Sequence, residues 1–307
     1  MVAQAITSNT YHTPALLEES IDALAIKPDG IYVDVTFGGG GHSREILKHL
    51  GEKGRLIAFD RDSDTLANKI NDPRFTLVVN NFRFLHNTLR SFNIKKVDGI
   101  LADLGVSSHQ FDESERGFSF RFSSPADMRM NQQSEFSAQE LLKSYSQDKL
   151  QHIFSAYGEL SNASRLAKEI INRRNEKPIS TTTELIEIAI PLLPKKDLNT
   201  QLAKLFQAIR IEVNKEMLAL EQLMLHSLKT LKSNGRLVVI TYHSLEDRLV
   251  KNFMKSGNLE GRIVKDFYGN VETPFILCTK KAIIPTEEEV LRNSRARSAK
   301  LRIAEKK

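Results

Sequence analysis

The stretch IYVDVTFGGGGH, residues Ile31 to His42, decides the fold. Its residues up to Phe37 are mostly β-branched or aromatic, which predicts a buried strand. The four glycines that follow end the strand, and they let backbone N–H groups approach a ligand closely because no Cβ intervenes. From His42 to Leu50 the apolar residues recur at helical spacing. Strand, glycine loop and helix together predict a nucleotide-binding α/β domain.

The spacing of the glycines excludes two nucleotide motifs. No G-x-G-x-x-G/A pattern fits the run, and no Gly-Lys-Ser/Thr tripeptide occurs in the 307 residues. Asp34 stands just ahead of the glycines, and Asp60 lies 19 residues after Gly41, where a carboxylate can accept both hydroxyls of a ribose. Acids around the loop suit the positive sulfonium and ammonium of S-adenosylmethionine. The alternative is an ordinary strand-turn-helix with surface acids.

Length and composition bound the class of protein. A chain of 307 residues has room for one large domain or two. No apolar run approaches ~18 residues and no signal-peptide pattern opens the chain, so we expect a cytoplasmic protein with no membrane partner. The single cysteine, Cys278, excludes a disulfide framework and cysteine-rich metal sites, and its apolar surroundings predict a buried core thiol.

The positive charge is concentrated near the carboxyl terminus. The net charge is +6, and residues 280–307 contain nine Lys/Arg against four Glu, which amounts to +5. Such a run is typical either of a solvated charged face or of contact with a nucleic-acid backbone.

Acidic residues end several predicted strands. The fourth strand, from Val97 to Ser108, carries Asp103 near its carboxyl end. In open α/β sheets, ligands bind beyond the carboxyl ends of the strands. We therefore expect Asp34, Asp60 and Asp103 on one rim. Phe82 ends the third strand, where it could face an adenine or serve as a plain core residue.

The alternation of strands and helices stops after the fourth strand. Residues 111–200 show helical patterns without a convincing strand, which predicts a helical insertion within a discontinuous domain formed by 1–110 and 201–307. The insertion opens with RGFSFRF, Arg116 to Phe122, which either grips phosphates and bases or forms a small strand with one buried face. Gln201 to Leu231 then predicts one long amphipathic helix.

A fifth predicted strand ends at His243, which either meets substrate or is a structural histidine. The next residues, Ser244 to Asp247, fit a helix N-cap. The segments FILCTKKAI and SAKLRIAEKK predict an antiparallel pair at one edge of the sheet. Near the start of the chain, Thr13 is a candidate N-cap for the first helix.

Taken together, these motifs resemble one family, the bacterial 16S rRNA (cytosine-N4)-methyltransferases of the RsmH/MraW type. The matching segments run in family order from Tyr11 to Glu305: YHTPALLEE, VDVTFGGGGHS, IAFDRD, VDGILADLGVSS, ERGFSF, DMRM, YGE, FQAIRIEVNKE, YHSLEDR and RARSAKLRIAE. The chain departs from the family pattern at His109 and at Thr200-Gln201. The resemblance implies a Rossmann-like, class I S-adenosylmethionine-dependent methyltransferase sheet with an inserted helical substrate-recognition domain. It also implies methyl transfer to N4 of a cytidine in the decoding centre of the small ribosomal subunit.

Position by position, the resemblance implies a set of cofactor contacts. They fall on Gly40, Gly41, His42, Asp60, Phe82, Asp103 and Gln110. The interleaving and clustering of cations, together with the strand-end histidine, assign a second set to RNA. It comprises Arg116, Arg121, His243, Arg295 and Arg297. The sequence does not show an oligomeric state, so a homodimer stays open.

Direct methyl transfer to the cytosine amine needs no nucleophile from the enzyme, but it needs a hydrogen-bond acceptor for the amine. The lone pair of the cytosine amine is delocalised into the ring, and an acceptor that holds one N–H would turn it toward the methyl group. We assign this role to Asp103 or to the carbonyls after it. Methylation at carbon 5 would need a thiolate, usually a cysteine after proline, and Cys278 follows Leu277 instead. Two other classes are kept open: a DNA amino-methyltransferase and a non-catalytic module that binds the cofactor.

Overall fold

The computed structural model describes residues 14–307, which form two compact units. The sheet unit comprises the stretches 14–60, 64–105 and 224–307. The helical unit comprises 61–63 and 106–223. It contains the predicted insertion, 111–200, and extends past both of its predicted boundaries. The extension after 200 arises because apolar residues such as Leu205, Ile209 and Val213 belong to the core of the helical unit. Thr13 lies outside the described residues.

Seven strands form one sheet in the order β3-β2-β1-β4-β5-β7-β6. They are β1 Ile31–Asp34, β2 Arg55–Asp60, β3 Phe75–Val79, β4 Val97–Asp103, β5 Leu231–Thr241, β6 Phe275–Leu277 and β7 Lys300–Lys306. The first five strands pair in parallel, whereas β7 runs antiparallel to both β5 and β6. The Rossmann-like sheet and its antiparallel edge pair are confirmed. The strand order reverses at β1, between β2 and β4, and such a reversal is where ligands bind in open α/β sheets.

Twelve α-helices lie within residues 14–307. They are α1 Leu17–Leu24, α2 Gly41–His49, α3 Leu85–Ser91, α4 Ser108–Asp112, α5 Ala138–Ser144, α6 Gln147–Ala156, α7 Ala163–Glu176, α8 Thr182–Ala189, α9 Leu198–Asn214, α10 Glu216–Thr230, α11 Ser244–Ser256 and α12 Glu287–Arg292. None of the helices in 14–307 is long and apolar enough to cross a bilayer.

Each unit has its own apolar core. The central strands of the sheet are covered on both faces, so Val33, Ile57, Ile100 and Val238 are fully buried. In the helical unit, apolar stripes of α5 to α9 pack together around residues such as Phe154. Burial of these side chains is the main term that stabilises each unit.

The segment RGFSFRF does not form the small strand that was one of its two interpretations. Phe118 is buried and Phe122 is 46% exposed, but no strand runs through them in the described helical unit. Gly117, with φ of +70°, turns the chain immediately before these phenylalanines.

The long helix predicted over Gln201 to Leu231 is wrong, because the chain breaks at Lys215. That residue is left-handed, with φ of 50°, and it separates α9 from α10. Its backbone N–H donates to the carbonyls of Ile211 and Glu212, which ends α9. The amphipathic pattern continues through the break and therefore gave no sign of it.

Two smaller predictions also need correction. The N-cap of α11 is His243 rather than Ser244, because His243 is extended and its side chain accepts the backbone N–H of Glu246. Cys278 is exposed rather than buried, since it directly follows the edge strand β6. Arg236 donates to its Sγ at 2.7 Å.

Candidate active site

The glycine loop joins β1 to α2 and needs glycine for two different reasons. Gly38 and Gly40 have φ of 51° and 78°, which other residues adopt at a cost. At Gly41 the reason is space, because a Cβ there would lie 2.2 Å from Cγ of Pro14. Among residues 14–307, nothing lies within 4 Å of where a Cβ on Gly38 would stand, so this part of the chain leaves the loop open on that side.

Side chains from outside the loop fix the orientation of its peptides. Oδ2 of Asp60 accepts the N–H of Gly38 at 2.8 Å. Arg44 donates to the carbonyl of Gly39 at 2.5 Å, and the Asn68 amide donates to the carbonyl of Gly38 at 3.2 Å. Two consecutive carbonyls are thus held in place, which fixes the peptide planes that carry the next N–H groups.

Asp34 lies inside this turn rather than on the rim where it was expected. Its side chain is 1% exposed, and Oδ2 accepts the hydroxyl of Ser43 at 2.7 Å. Oδ1 accepts the N–H of Thr36 at 3.1 Å. Burial raises the pKa of Asp34, and these hydrogen bonds oppose the rise. The carboxyl group therefore ties the end of β1 to the first turn of α2.

Asp103 is the last residue of β4, and its side chain is 22% exposed. Its Oδ1 accepts the hydroxyl of Tyr242 at 2.7 Å, and its backbone N–H donates to Oγ1 of Thr36 at 2.6 Å. Burial raises the pKa of Asp103 to about 7; the charges of Asp34 and Glu246 act in the same direction, and the bond from Tyr242 opposes them. A carboxyl group that titrates near neutral pH can take a proton from a substrate and release it again.

His42 lies beside this carboxyl group in the first turn of α2. Its Nδ1 is 3.9 Å from Oδ2 of Asp103. Burial lowers the pKa of His42 to about 4, so the imidazole is neutral at physiological pH. Its Nε2 is buried and has no hydrogen-bond partner among residues 14–307. A buried polar atom without a partner marks a place where a ligand can supply one.

Comparison with known proteins identifies the family. The model of the MraW methylase family matches residues 9–307. This chain belongs to the MraW methylase family.

Relatives of this methylase match it over nearly their whole length. The ribosomal RNA small subunit methyltransferase H of Bacteroides fragilis is 57% identical over 298 residues, which is 97% of this chain and 98% of the relative. The protein of the same name from Flavobacterium johnsoniae is 56% identical over 300 residues, covering 98% and 99%. Solved structures are more distant: an rRNA methylase from Streptococcus thermophilus has a TM-score of 0.41 at 12% identity, covering 96% of this chain and 99% of its own.

This member of the family uses S-adenosylmethionine as its methyl donor, and the strand-end residues fit this group. The unpartnered Nε2 of His42 can accept or donate a hydrogen bond. The neutral imidazole adds no positive charge near a sulfonium, and the carboxyl groups of Asp60 and Asp103 supply the opposite sign. The open side of Gly38 leaves room for a ligand to approach the backbone.

The structure brings together part of the predicted cofactor set. Gly40, Gly41, His42 and Asp103 gather at the carboxyl ends of β1 and β4, and Asp60 contacts the same loop. Phe82 is 9% exposed and begins a short 3₁₀ turn after β3. Gln110 lies in the helical unit, where its amide donates to Asp62 at 2.8 Å.

The residues predicted for RNA have different environments. Arg116 is 8% exposed, and its guanidinium donates to Asp62 at 3.0 Å and to the carbonyl of Arg129. Arg121, Arg295 and Arg297 are exposed. His243 caps α11, with Nε2 3.2 Å from Oε1 of Glu246.

Sequence reasoning missed Tyr242, Arg44 and Asn68. Tyr242 appears in the sequence as another strand residue, and only the pairing of β4 with β5 brings its hydroxyl to Asp103. Arg44 and Asn68 act on carbonyls of the glycine loop, and no residue pattern encodes such contacts. One signal could have indicated Tyr242: an acid ends β4, and a residue with a hydroxyl follows the end of the adjacent parallel strand β5.

Proposed function

We propose that this protein transfers the methyl group of S-adenosylmethionine to the exocyclic N4 amine of a specific cytidine in the decoding centre of 16S rRNA. The relatives named as ribosomal RNA small subunit methyltransferase H support the substrate class. The observation that carries the reaction is Asp103, a carboxyl group with a pKa near 7 that lies beside the glycine loop. The small ribosomal subunit is then the partner, and the cytoplasm is where the protein meets it.

In this mechanism Asp103 acts on the amine. Its carboxylate accepts one N–H of the cytosine amino group, which turns the nitrogen lone pair out of conjugation and toward the methyl group. The bound donor supplies an electrophilic methyl carbon on a positive sulfur. As the new N–C bond forms, the bond between the methyl carbon and the sulfur breaks, and the sulfur keeps its electron pair in the demethylated donor; Asp103 takes the proton that the amine loses. The product is N4-methylcytidine, and the protonated Asp103 returns its proton to solvent at neutral pH.

The remaining cofactor contacts are assigned to the positions that the family resemblance implies. The loop residues Gly40, Gly41 and His42 hold the amino-acid part of the donor, and Asp60 accepts the ribose hydroxyls. Phe82 lies against the adenine. Gln110 belongs to the same set of contacts that the family resemblance implies.

The helical unit serves in substrate recognition, and exposed cations bind the rRNA backbone. Arg121 belongs to the helical unit, whereas Arg295 and Arg297 lie on the short 3₁₀ helix Ser294–Ser298. Because each lysine or arginine that neutralises a phosphate releases counterions, we expect alanine at these three positions to reduce the salt dependence of RNA binding. Titrations of the donor should stay unchanged. Unaltered salt slopes would contradict the assignment of these three arginines. Arg116, which pairs with Asp62, and His243, which caps α11, are also assigned to RNA but are not altered in this test.

Self-association through the outer side of β6 is also part of the proposal. Ile276 and Leu277 are 51% and 43% exposed on this edge strand. In the turn before it, Phe267 and Tyr268 are 96% and 86% exposed. Exposed edges with apolar side chains commonly pair with a second chain. The double variant Phe267→Ser, Tyr268→Ser should have a lower mass by light scattering than the wild type. Leu291→Ser, at a similarly exposed position, is the control and should keep the wild-type mass. A monomeric wild type would refute the dimer.

One experiment tests substrate and reaction together. Small subunits from a strain that lacks this methyltransferase are incubated with the purified protein and labelled donor, and the rRNA nucleosides are mapped by mass spectrometry. We expect a single N4-methylcytidine in the decoding centre. A label at carbon 5, on a ribose, or only on a matched DNA control would overturn the proposal, and no transfer at all would favour a non-catalytic module.

A further inference from the structure

Tyr242 reaches Asp103 because of the register between two parallel strands. Asp103 of β4 pairs with Ile240 of β5, so Tyr242 stands two residues beyond its level. At that distance its phenol spans the gap between the strands, and the hydroxyl donates to Oδ1 of Asp103 at 2.7 Å. The contact therefore follows from the sheet itself.

Both ends of Tyr242 are fixed. Its backbone N–H donates to Oε2 of Glu246 at 3.0 Å, in the first turn of α11. Gly105 has φ of 100°, a conformation that favours glycine, and a Cβ there would be in ordinary contact with the tyrosine ring at 3.4 Å, so the ring lies against this turn. Burial and the charge of Asp103 raise the pKa of Tyr242 well above its usual value, so the phenol keeps its proton and remains a hydrogen-bond donor near neutral pH.

We propose that Tyr242 is a positioning residue for methyl transfer: it engages Oδ1 of Asp103 and thereby presents Oδ2, on the side of His42, to the cytosine amine. This inference rests on the proposed function of Asp103 as proton acceptor. A phenol that donates to one carboxylate oxygen restricts rotation of the group, so the other oxygen keeps one direction.

The same bond sets the pH at which Asp103 can act. Within the described sheet unit, four groups face its carboxyl group: Asp34 from the end of β1, His42 from α2, Tyr242 after β5 and Glu246 from α11. The two acids oppose ionisation, and the neutral imidazole adds no charge. The donor bond from Tyr242 favours the carboxylate. Removal of that bond should therefore raise the pKa of Asp103, and removal of the charge of Glu246 should lower it.

Tyr242→Phe tests this directly, because the ring is kept and only the hydroxyl is lost. We expect the acid limb of the kcat profile to move up by about one pH unit, since a hydrogen bond to a charged group has about that effect. A shift of that size from pH 7 lowers kcat roughly eightfold at pH 6.5 and less than about twofold at pH 9. Glu246→Gln should move the limb in the opposite direction.

A second readout needs neither donor nor rRNA. Carbon-13 NMR of aspartate-labelled protein follows the titration of the Asp103 carboxyl group, identified by its loss in Asp103→Asn. We expect the midpoint to rise in Tyr242→Phe and to fall in Glu246→Gln, with unchanged circular dichroism in both. Equal midpoints in folded variants would overturn the role of Tyr242 even if the wild type methylates rRNA. Shifted midpoints in a protein that fails to methylate rRNA would leave the contact intact and refute the proposed function instead.

Discussion

Both units contain carboxyl groups with little solvent exposure, but the one at the candidate active site is balanced differently from those of the helical unit. In the helical unit, Asp62 is paired with Arg116 at 3.0 Å, and Glu216 forms a two-bond pair with Arg210, at 2.9 Å for each bond. At the strand ends of the sheet unit, Asp103 has a phenol and a neutral imidazole for neighbours instead of an arginine. An arginine keeps a carboxylate ionised and structural, whereas burial without a cation leaves it able to exchange a proton near neutral pH.

The largest expected effect comes from removing the exchangeable proton site. Asp103→Asn keeps the shape of the side chain but lacks the carboxylate that accepts the amine proton. We expect the single-turnover rate on small subunits to fall about 10²- to 10⁴-fold, the usual contribution of a positioned general base. Calorimetry should show donor affinity within a few-fold of wild type. A wild-type rate would contradict the role.

The matching change in the helical unit should damage folding instead of chemistry. Arg116→Met leaves Asp62 buried without its arginine, which typically costs about 3–5 kcal/mol in the free energy of unfolding. Urea denaturation measures the loss. Arg121→Met, at an exposed position, is the control and should stay within about 0.5 kcal/mol. If both variants were equally stable, the ion pair would not be structural.

The pH dependence of stability sharpens the contrast. The pKa of Asp103 is about 7 in the folded protein, and an unfolded aspartate has about 3.9. Between these values the folded state binds more protons, so this group makes stability fall as the pH rises from about 4 to about 7. The expected loss is on the order of 4 kcal/mol, because the shift of about three pKa units is worth about 1.4 kcal/mol for each unit. Denaturant curves of Asp103→Asn should lack this component, and identical pH slopes would argue against the raised pKa.

The smallest expected effect concerns the glycine loop. Arg44→Ala removes the donor to the carbonyl of Gly39, so the loop loses one of the contacts that fix its peptides. We expect donor affinity to fall about fivefold, close to 1 kcal/mol, with kcat nearly unchanged at saturation. Lys48→Ala, one turn further along the same helix, should have no effect. Equal affinities in the two variants would show that the loop holds its conformation without Arg44.

Much of the sheet could be predicted because its signals are local. Each parallel strand is a short apolar run, and the acids that end β2 and β4 stand where their strands stop. The loop after β1 is marked by its four consecutive glycines. Those features need only neighbouring residues, so the sequence contains them in full.

The parts that could not be predicted depend on contacts between distant residues. Lys215 interrupts an apolar stripe that continues on both sides, and no proline or glycine marks the break. The burial of Asp34 depends on Ser43 in the next helix. The partnership of Tyr242 with Asp103 spans 139 positions and exists only through strand register. Periodicity cannot report such contacts.

The place of β7 in the sheet has a consequence for synthesis. This strand lies between β5 and β6, although it follows both in chain order. During synthesis, residues 106–223 are made before β7 and can fold around their own core. Until β7 is made, β5 lacks its antiparallel neighbour. The sheet can therefore be completed on this side only after Lys300–Lys306 have been synthesised.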